Sequence, residues 1–266
     1  MRMLGVRKNE TSRLALASSI FFLVAVNDGI VKSVSSGVFN IRVGVDHLPE
    51  MYTWIAWLFS LTMVLLSYLT TKISRQRLLF NLLVLLGVVL AFNAAVLWLE
   101  QSGAVDLKDT GFYPFLFVSS EMVRSMANFQ VWIVAGGICY TSRAKILFPL
   151  LAASTTIGDI MGGFLVQVLG AFMIAYQIYG LSVVNMAAII ALLRPLVKRY
   201  FVVSTADSDD EGATMSENIR FFAKSTYLKL LFVLSIAIFA LYTSIHYGFN
   251  VLARVQYETE GEITSF

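Results

Sequence analysis

The sequence has one cysteine, Cys139, two histidines, His47 and His246, and four prolines. A single cysteine excludes an internal disulfide. The two histidines stand far apart, with no cysteine or carboxylate grouped around them, so no metal site is expected. There is no G-x-S-x-G and no supported pair of nucleophile and base. No lysine follows a glycine-rich turn at the spacing that cradles a phosphate chain. Catalysis therefore has no foothold, and neither an enzyme nor a cofactor is expected. Charge is also scarce, at 14% of residues against about a quarter in soluble domains. The net charge of +3 gives no reason to expect a nucleic-acid partner. The ~10-residue alternating segments of a membrane β-barrel are missing as well.

What the chain does have is long apolar runs. It is 58% hydrophobic, with a mean hydropathy of +0.74. The runs are near the ~20 residues that a helix needs to cross a bilayer. They predict an all-α polytopic membrane bundle of seven spans, roughly 14–39, 51–71, 78–99, 112–139, 145–171, 173–193 and 228–251. Basic residues fix the expected orientation, because they stay on the cytoplasmic side. Fifteen of the 20 Lys and Arg fall on one side, in the N-terminal stretch and the even-numbered connections. Arg42, Lys108 and Arg254 fall on the other, and Lys32 and Arg124 lie inside spans. The N-terminus is thus expected in the cytoplasm, the C-terminus outside it, and the lipid bilayer, a bacterial inner membrane, is the expected location. The first apolar run ends without a small-residue cleavage pattern, so it reads as a span rather than a removed signal.

One stretch breaks the pattern. Ser204 to Asn218, STADSDDEGATMSEN, is acidic and poor in apolar residues, and reads as a cytoplasmic linker. It divides the chain into a six-span unit (1–200), a linker (201–225) and a seventh span with an acidic tail (226–266). Six spans, a cytoplasmic loop and a further span is the plan of a transporter built from two six-helix halves, with the second half only begun.

The spans carry charges that a lipid-facing helix would avoid. Asp28 and Lys32 stand four apart in the first span, on one helix face and in the order that favours pairing. Either alone costs ~2.5–3.5 kcal/mol at a helix centre. Ser35, Ser36 and Phe39 continue the face. In the fourth span, Glu121, Arg124, Ser125, Asn128 and Trp132 share another face. Each span is expected to hold its own acid–base pair, Asp28 with Lys32 and Glu121 with Arg124. Asp28, Lys32, Glu121, Arg124 and Asn128 are the candidate substrate-binding residues, because ionisable groups inside a membrane mark solute pathways. In the fifth span Gly158 and Gly162 form a G-xxx-G that predicts close helix packing, with Asp159 beside it. In the seventh, Ser235, Tyr242 and His246 share a face, and the histidine reads as packing.

Three segments carry a resemblance. Ala127 to Leu165 contains Ala144-Lys145-Ile146-Leu147-Phe148-Pro149-Leu150 ahead of a glycine-rich helix. VGVDHLPEMYTW, Val43 to Trp54, enters the second span, and YLTTKISRQRLLF, Tyr68 to Phe80, leaves it. Together they resemble the ATP/ADP translocases of plastids and intracellular bacteria, a branch related to the major facilitator superfamily, over residues 20 to 200. Ile146 stands where that family has a second basic residue, and Asn27 where it has an arginine. The resemblance implies a major-facilitator-like N-terminal half that transports nucleotides, with Lys32 and Glu121 as the matching charged residues. Two functions are expected from all this. One is a solute transporter, or a fragment of one, moving a nucleotide or another organic anion by alternating access. The other is a half-transporter fold serving as a structural subunit of a membrane complex. A second transporter half, a homodimer or a partner complex would cover the polar face.

Overall fold

The computed structural model describes residues 8–70, 72–107, 110–138, 144–200 and 215–256. Among these all regular structure is helical. Helix α1 spans Lys8–Arg42, α2 Leu48–Thr70, α3 Arg75–Gln101, α4 Phe112–Ile138, α5 Ala144–Gly170 and α6 Ala175–Tyr200. A short helix α7, Met215–Lys224, precedes the long α8, Thr226–Gln256. Seven long helices thus stand where the apolar runs predict them. The junction between the fifth and sixth runs, which has no polar loop, is a tight turn from Ala171, with Phe172 exposed. Cys139 and the acidic tail lie outside the described residues.

Six of the long helices, among the described residues, are long and apolar enough to cross a membrane. The one left out is α4. It has the length, 27 residues, but Ser119, Ser120, Glu121, Arg124, Ser125, Asn128 and Gln130 dilute its apolar character. Those groups are turned largely inward: Ser120 and Gln130 are buried, and Arg124 is nearly so.

Helix α1 is the hub. It packs against α4, α5 and α6, while α3 closes the far side against α6 and α4. Val24, Ile30, Val31 and Val34 of α1 join Leu83 and Leu90 of α3, Val123 and Met126 of α4, Leu151 of α5 and Ile189 of α6 in one core. Between helices in lipid, such packing replaces the hydrophobic drive of a water-soluble core. Half of the apolar window of α1 is buried against protein, but 6% of that of α2 and none of that of α8. The last two helices are therefore peripheral, with wide apolar faces.

The G-xxx-G of α5 meets α1 backbone to backbone. A Cβ on Gly158 would stand 2.5 Å from the Phe22 carbonyl oxygen and 2.7 Å from the Ala25 Cβ. One on Gly162 would stand 3.0 Å from the Val26 oxygen, and one on Gly29 3.2 Å from the Gly162 backbone. Close packing, as expected, is the role of these glycines. Gly44 serves differently. Its φ of 104° ends α1 and opens the one-turn helix Val45–His47, a conformation that a side chain would strain.

Part of the expected linker is ordered. Residues 201–214 lie outside the described residues, but Met215–Lys224 is helix α7. The acidic, small-residue run ends there and an amphipathic stretch, NIRFFAK, takes over. Lys224 sits in the last turn, where a cation complements the helix dipole.

Candidate functional site

Helices α1 and α4 lie antiparallel. Phe39 meets Phe117 with ring centroids 4.7 Å apart, and Phe21 meets Trp132 at 5.0 Å. Residue numbers therefore rise on one helix as they fall on the other, and Asp28 comes level with Arg124. The guanidinium Nη1 of Arg124 donates to Asp28 Oδ2 at 2.8 Å. Its Nη2 stands 3.3 Å from Glu121 Oε2, one turn back on the same helix. The side chains are 11% (Arg124), 21% (Asp28) and 14% (Glu121) exposed. One arginine thus ties two carboxylates on two helices, leaving the triad one negative charge.

This corrects one expected pairing. Glu121 and Arg124 pair as their spacing predicts, but Asp28 and Lys32 form no ion pair. A neighbouring arginine on α4 offers Asp28 a short, charge-assisted bond, which a lysine one turn along its own helix cannot match. Lys32 instead points to the seventh long helix. Its Nζ lies 3.3 Å from the Tyr242 hydroxyl and 5.6 Å from the centre of that ring, a cation–π geometry. Lys32 is therefore a cation held by a neutral partner.

A second polar seam continues from there. The Tyr242 ring stacks on His246 at 6.0 Å. Tyr52 of α2 hydrogen-bonds His246 Nδ1 at 2.8 Å, and the Asn250 amide donates to the same nitrogen at 3.1 Å. Asn40 of α1 donates to Asn250 Oδ1 at 2.6 Å. Helix α8 is thus fastened to α1 and α2 by Tyr242, His246 and Asn250. His246 is a hydrogen-bonded packing residue, as expected; among the described residues Ser235 bonds only its own helix, at Leu231 O.

A third cluster lies on the opposite side of the bundle. Asn93 of α3 donates to Ser119 Oγ at 2.9 Å and to the Tyr179 hydroxyl at 3.2 Å. Ser120 shares a 2.7 Å bond with the same hydroxyl. Asn93, Ser120 and Tyr179 are buried. Asn185 of α6 donates to the Leu23 carbonyl at 2.8 Å.

Of the five predicted site residues, the structure joins Asp28, Glu121 and Arg124 and places Lys32 one turn beyond on the α8 side. Asn128 is half-buried one turn beyond Arg124, with no side-chain hydrogen bond among the described residues. Ser35, Ser36 and Phe39 of the α1 stripe are buried against other helices. Asp159 is exposed on α5 and joins no ion pair among the described residues. Sequence reasoning passed over Tyr52, Asn40, Asn93 and Tyr179. Asn40, four residues beyond Ser36, continues the i+4 stripe of Asp28 and Lys32 and was legible as such; Tyr52, Asn93 and Tyr179 follow no such period.

Compared with protein families, curated proteins and solved structures, the chain finds no match. Among the described residues, the fold defines an all-helical bundle with six helices compatible with crossing a membrane, its first and fourth helices joined by an ion triad.

Proposed function

We propose that the chain is an integral membrane solute transporter, or the greater part of one, that moves an organic anion by alternating access. The observation that carries this reading is Arg124 bound by both Asp28 and Glu121, with Lys32 beside them on a neutral partner. A purely structural arginine needs one carboxylate. With two, Arg124 can surrender one to an incoming anion and keep the other, so its charge never stands alone in a dry interior, where it would be costly. Lys32 can leave a tyrosine hydroxyl for an anionic group with little loss. Nucleotides are the first candidate substrates, on the strength of the resemblance to ATP/ADP translocases. The N-terminus then lies in the cytoplasm, as the basic residues predict.

The test is uptake of labelled nucleotides, and of simpler phosphates and carboxylates, into proteoliposomes holding the purified full chain. Saturable uptake of an anion above empty vesicles, lost in Lys32→Gln, supports transport. No uptake of any anion, alongside a stable complex with other membrane proteins, supports the structural-subunit reading. One observation favours that second reading: none of the apolar window of α8 is buried against the rest of the chain, and its contacts with α1 and α2 are confined to the stretch from Tyr242 to Ala253.

A further inference from the structure

Helix α7 belongs neither to the bundle nor to the ion triad. It runs from Met215 to Lys224, is strongly amphipathic and is polar on average. That combination distinguishes helices that lie on a membrane from those that cross it. Arg220 and Lys224, one turn apart, share a face and are exposed. Phe222 lies on the opposite side and meets Phe232 of α8 edge to face, with centroids 5.7 Å apart. Phe221, on the flank between, is a large ring 69% exposed.

The joint between α7 and α8 fixes where these groups are. It is one residue long. The Ser225 N–H closes α7 onto the Phe221 and Phe222 carbonyls at 3.1 and 3.2 Å. The Ser225 hydroxyl accepts from the Leu228 N–H at 3.3 Å, capping α8. One serine thus ends one helix and starts the next, leaving no slack. Because α8 has the length and composition of a membrane span, α7 must end at its mouth. Tyr227, 70% exposed, and Lys229 stand at that mouth, the residue types that favour the headgroup level.

We infer that α7 is an interfacial anchor. It lies in the plane of the bilayer surface, with Phe221 and Phe222 sunk among the acyl-chain ends and Arg220 and Lys224 on anionic lipid headgroups. Lys229 adds a third cation at the same level. By sequence, an acidic stretch precedes the helix, with Asp207, Asp209, Asp210 and Glu211. The lipid charge is therefore the sharpest part of the claim. The anchor would fix the angle at which α8 enters the membrane.

The test uses the full chain with Cys139→Ser. Single changes Arg220→Cys, Phe221→Cys, Phe222→Cys and Lys224→Cys each carry a nitroxide label, in vesicles of phosphatidylcholine with a quarter phosphatidylglycerol. The expected result is helical alternation. Labels at 221 and 222 are relaxed more by oxygen than by a water-soluble nickel chelate, and labels at 220 and 224 the reverse. In pure phosphatidylcholine the embedded fraction at 221 falls, by about fivefold for each basic residue whose attraction is lost. Arg220→Gln/Lys224→Gln, read with the label at 221, should remove that dependence on lipid charge while α8 stays inserted. Nickel access at all four positions in both lipids would overturn the anchor. Labels shielded from both reagents would overturn it in favour of packing against protein. Equal embedding in both lipids would overturn the headgroup assignment.

Discussion

The Asn93–Ser120–Tyr179 cluster and the Asp28–Glu121–Arg124 cluster occupy the same bundle and solve the same problem in different ways. Each ties α4 to its neighbours with polar groups inside the bundle. The first is neutral, joins three helices and is closed off from solvent on every side. The second is ionic, joins two helices and keeps 11–21% of each side chain open. A neutral cluster asks little of its surroundings, because every member remains uncharged if a bond breaks. An ionic cluster makes sense only if its charges stay paired or are exchanged for others. That difference suits the first cluster to pinning the fold and, under the proposed function, the second to exchanging partners with a solute. It also explains why α4, carrying both, is the one long helix among the described residues without a stretch apolar enough to count as a membrane span.

The comparison breaks hardest at Arg124. Arg124→Leu strands two carboxylates in a nearly dry site and should cost about 3–5 kcal/mol, read as a collapse of monodisperse protein on gel filtration in mild detergent. The triple change Asp28→Leu/Glu121→Leu/Arg124→Leu should restore most of that yield, since no charge is then left alone. If the triple change is no better folded than the single, the three charges do not act as one paired unit.

Tyr179→Phe comes next. It removes the hydroxyl that Asn93 and Ser120 share and should cost about 1–2 kcal/mol, the penalty of buried polar groups left short of a partner. Thermal unfolding of the detergent-solubilised protein reads it, and no change in the midpoint would contradict the structural role.

A finer cut distinguishes the two cations. Asp28→Asn and Arg124→Gln should be strongly non-additive in thermal stability, and Asp28→Asn and Lys32→Gln additive within a few tenths of a kcal/mol. The reverse would restore the pairing along α1. The smallest effect belongs to the α8 fastening. His246→Ala loses the Tyr52 bond and should cost about 0.6 kcal/mol, typical of a hydrogen bond between membrane helices, visible as a slightly lower unfolding midpoint.

Much of this was legible before any coordinates. The long helices follow from apolar runs, the Glu121–Arg124 pair from i, i+3 spacing, and the α1–α5 contact from Gly158 and Gly162. What could not be read is what depends on which helices become neighbours. Asp28 prefers an arginine 96 positions away because α4 runs antiparallel beside α1, and no local pattern records that. Tyr52 and Asn93 follow no period that would mark them, and Asn40, though on the stripe of Asp28, Lys32 and Ser36, gains its meaning only when Asn250 of α8 is in place. Helix α7 was hidden by the acidic residues just ahead of it, which made the whole connection read as linker.

The central claim is that the open ionic site works on solute while the closed neutral cluster only holds the fold. The direct measurement is anion uptake per folded molecule in proteoliposomes, for the unmodified protein, Lys32→Gln and Tyr179→Phe side by side. The account predicts uptake by the unmodified protein, a loss of at least tenfold in Lys32→Gln at unchanged unfolding midpoint (about 1.4 kcal/mol or more of lost interaction), and normal uptake per folded molecule in the less stable Tyr179→Phe. Uptake that survives Lys32→Gln, or that falls equally in both variants, would contradict it.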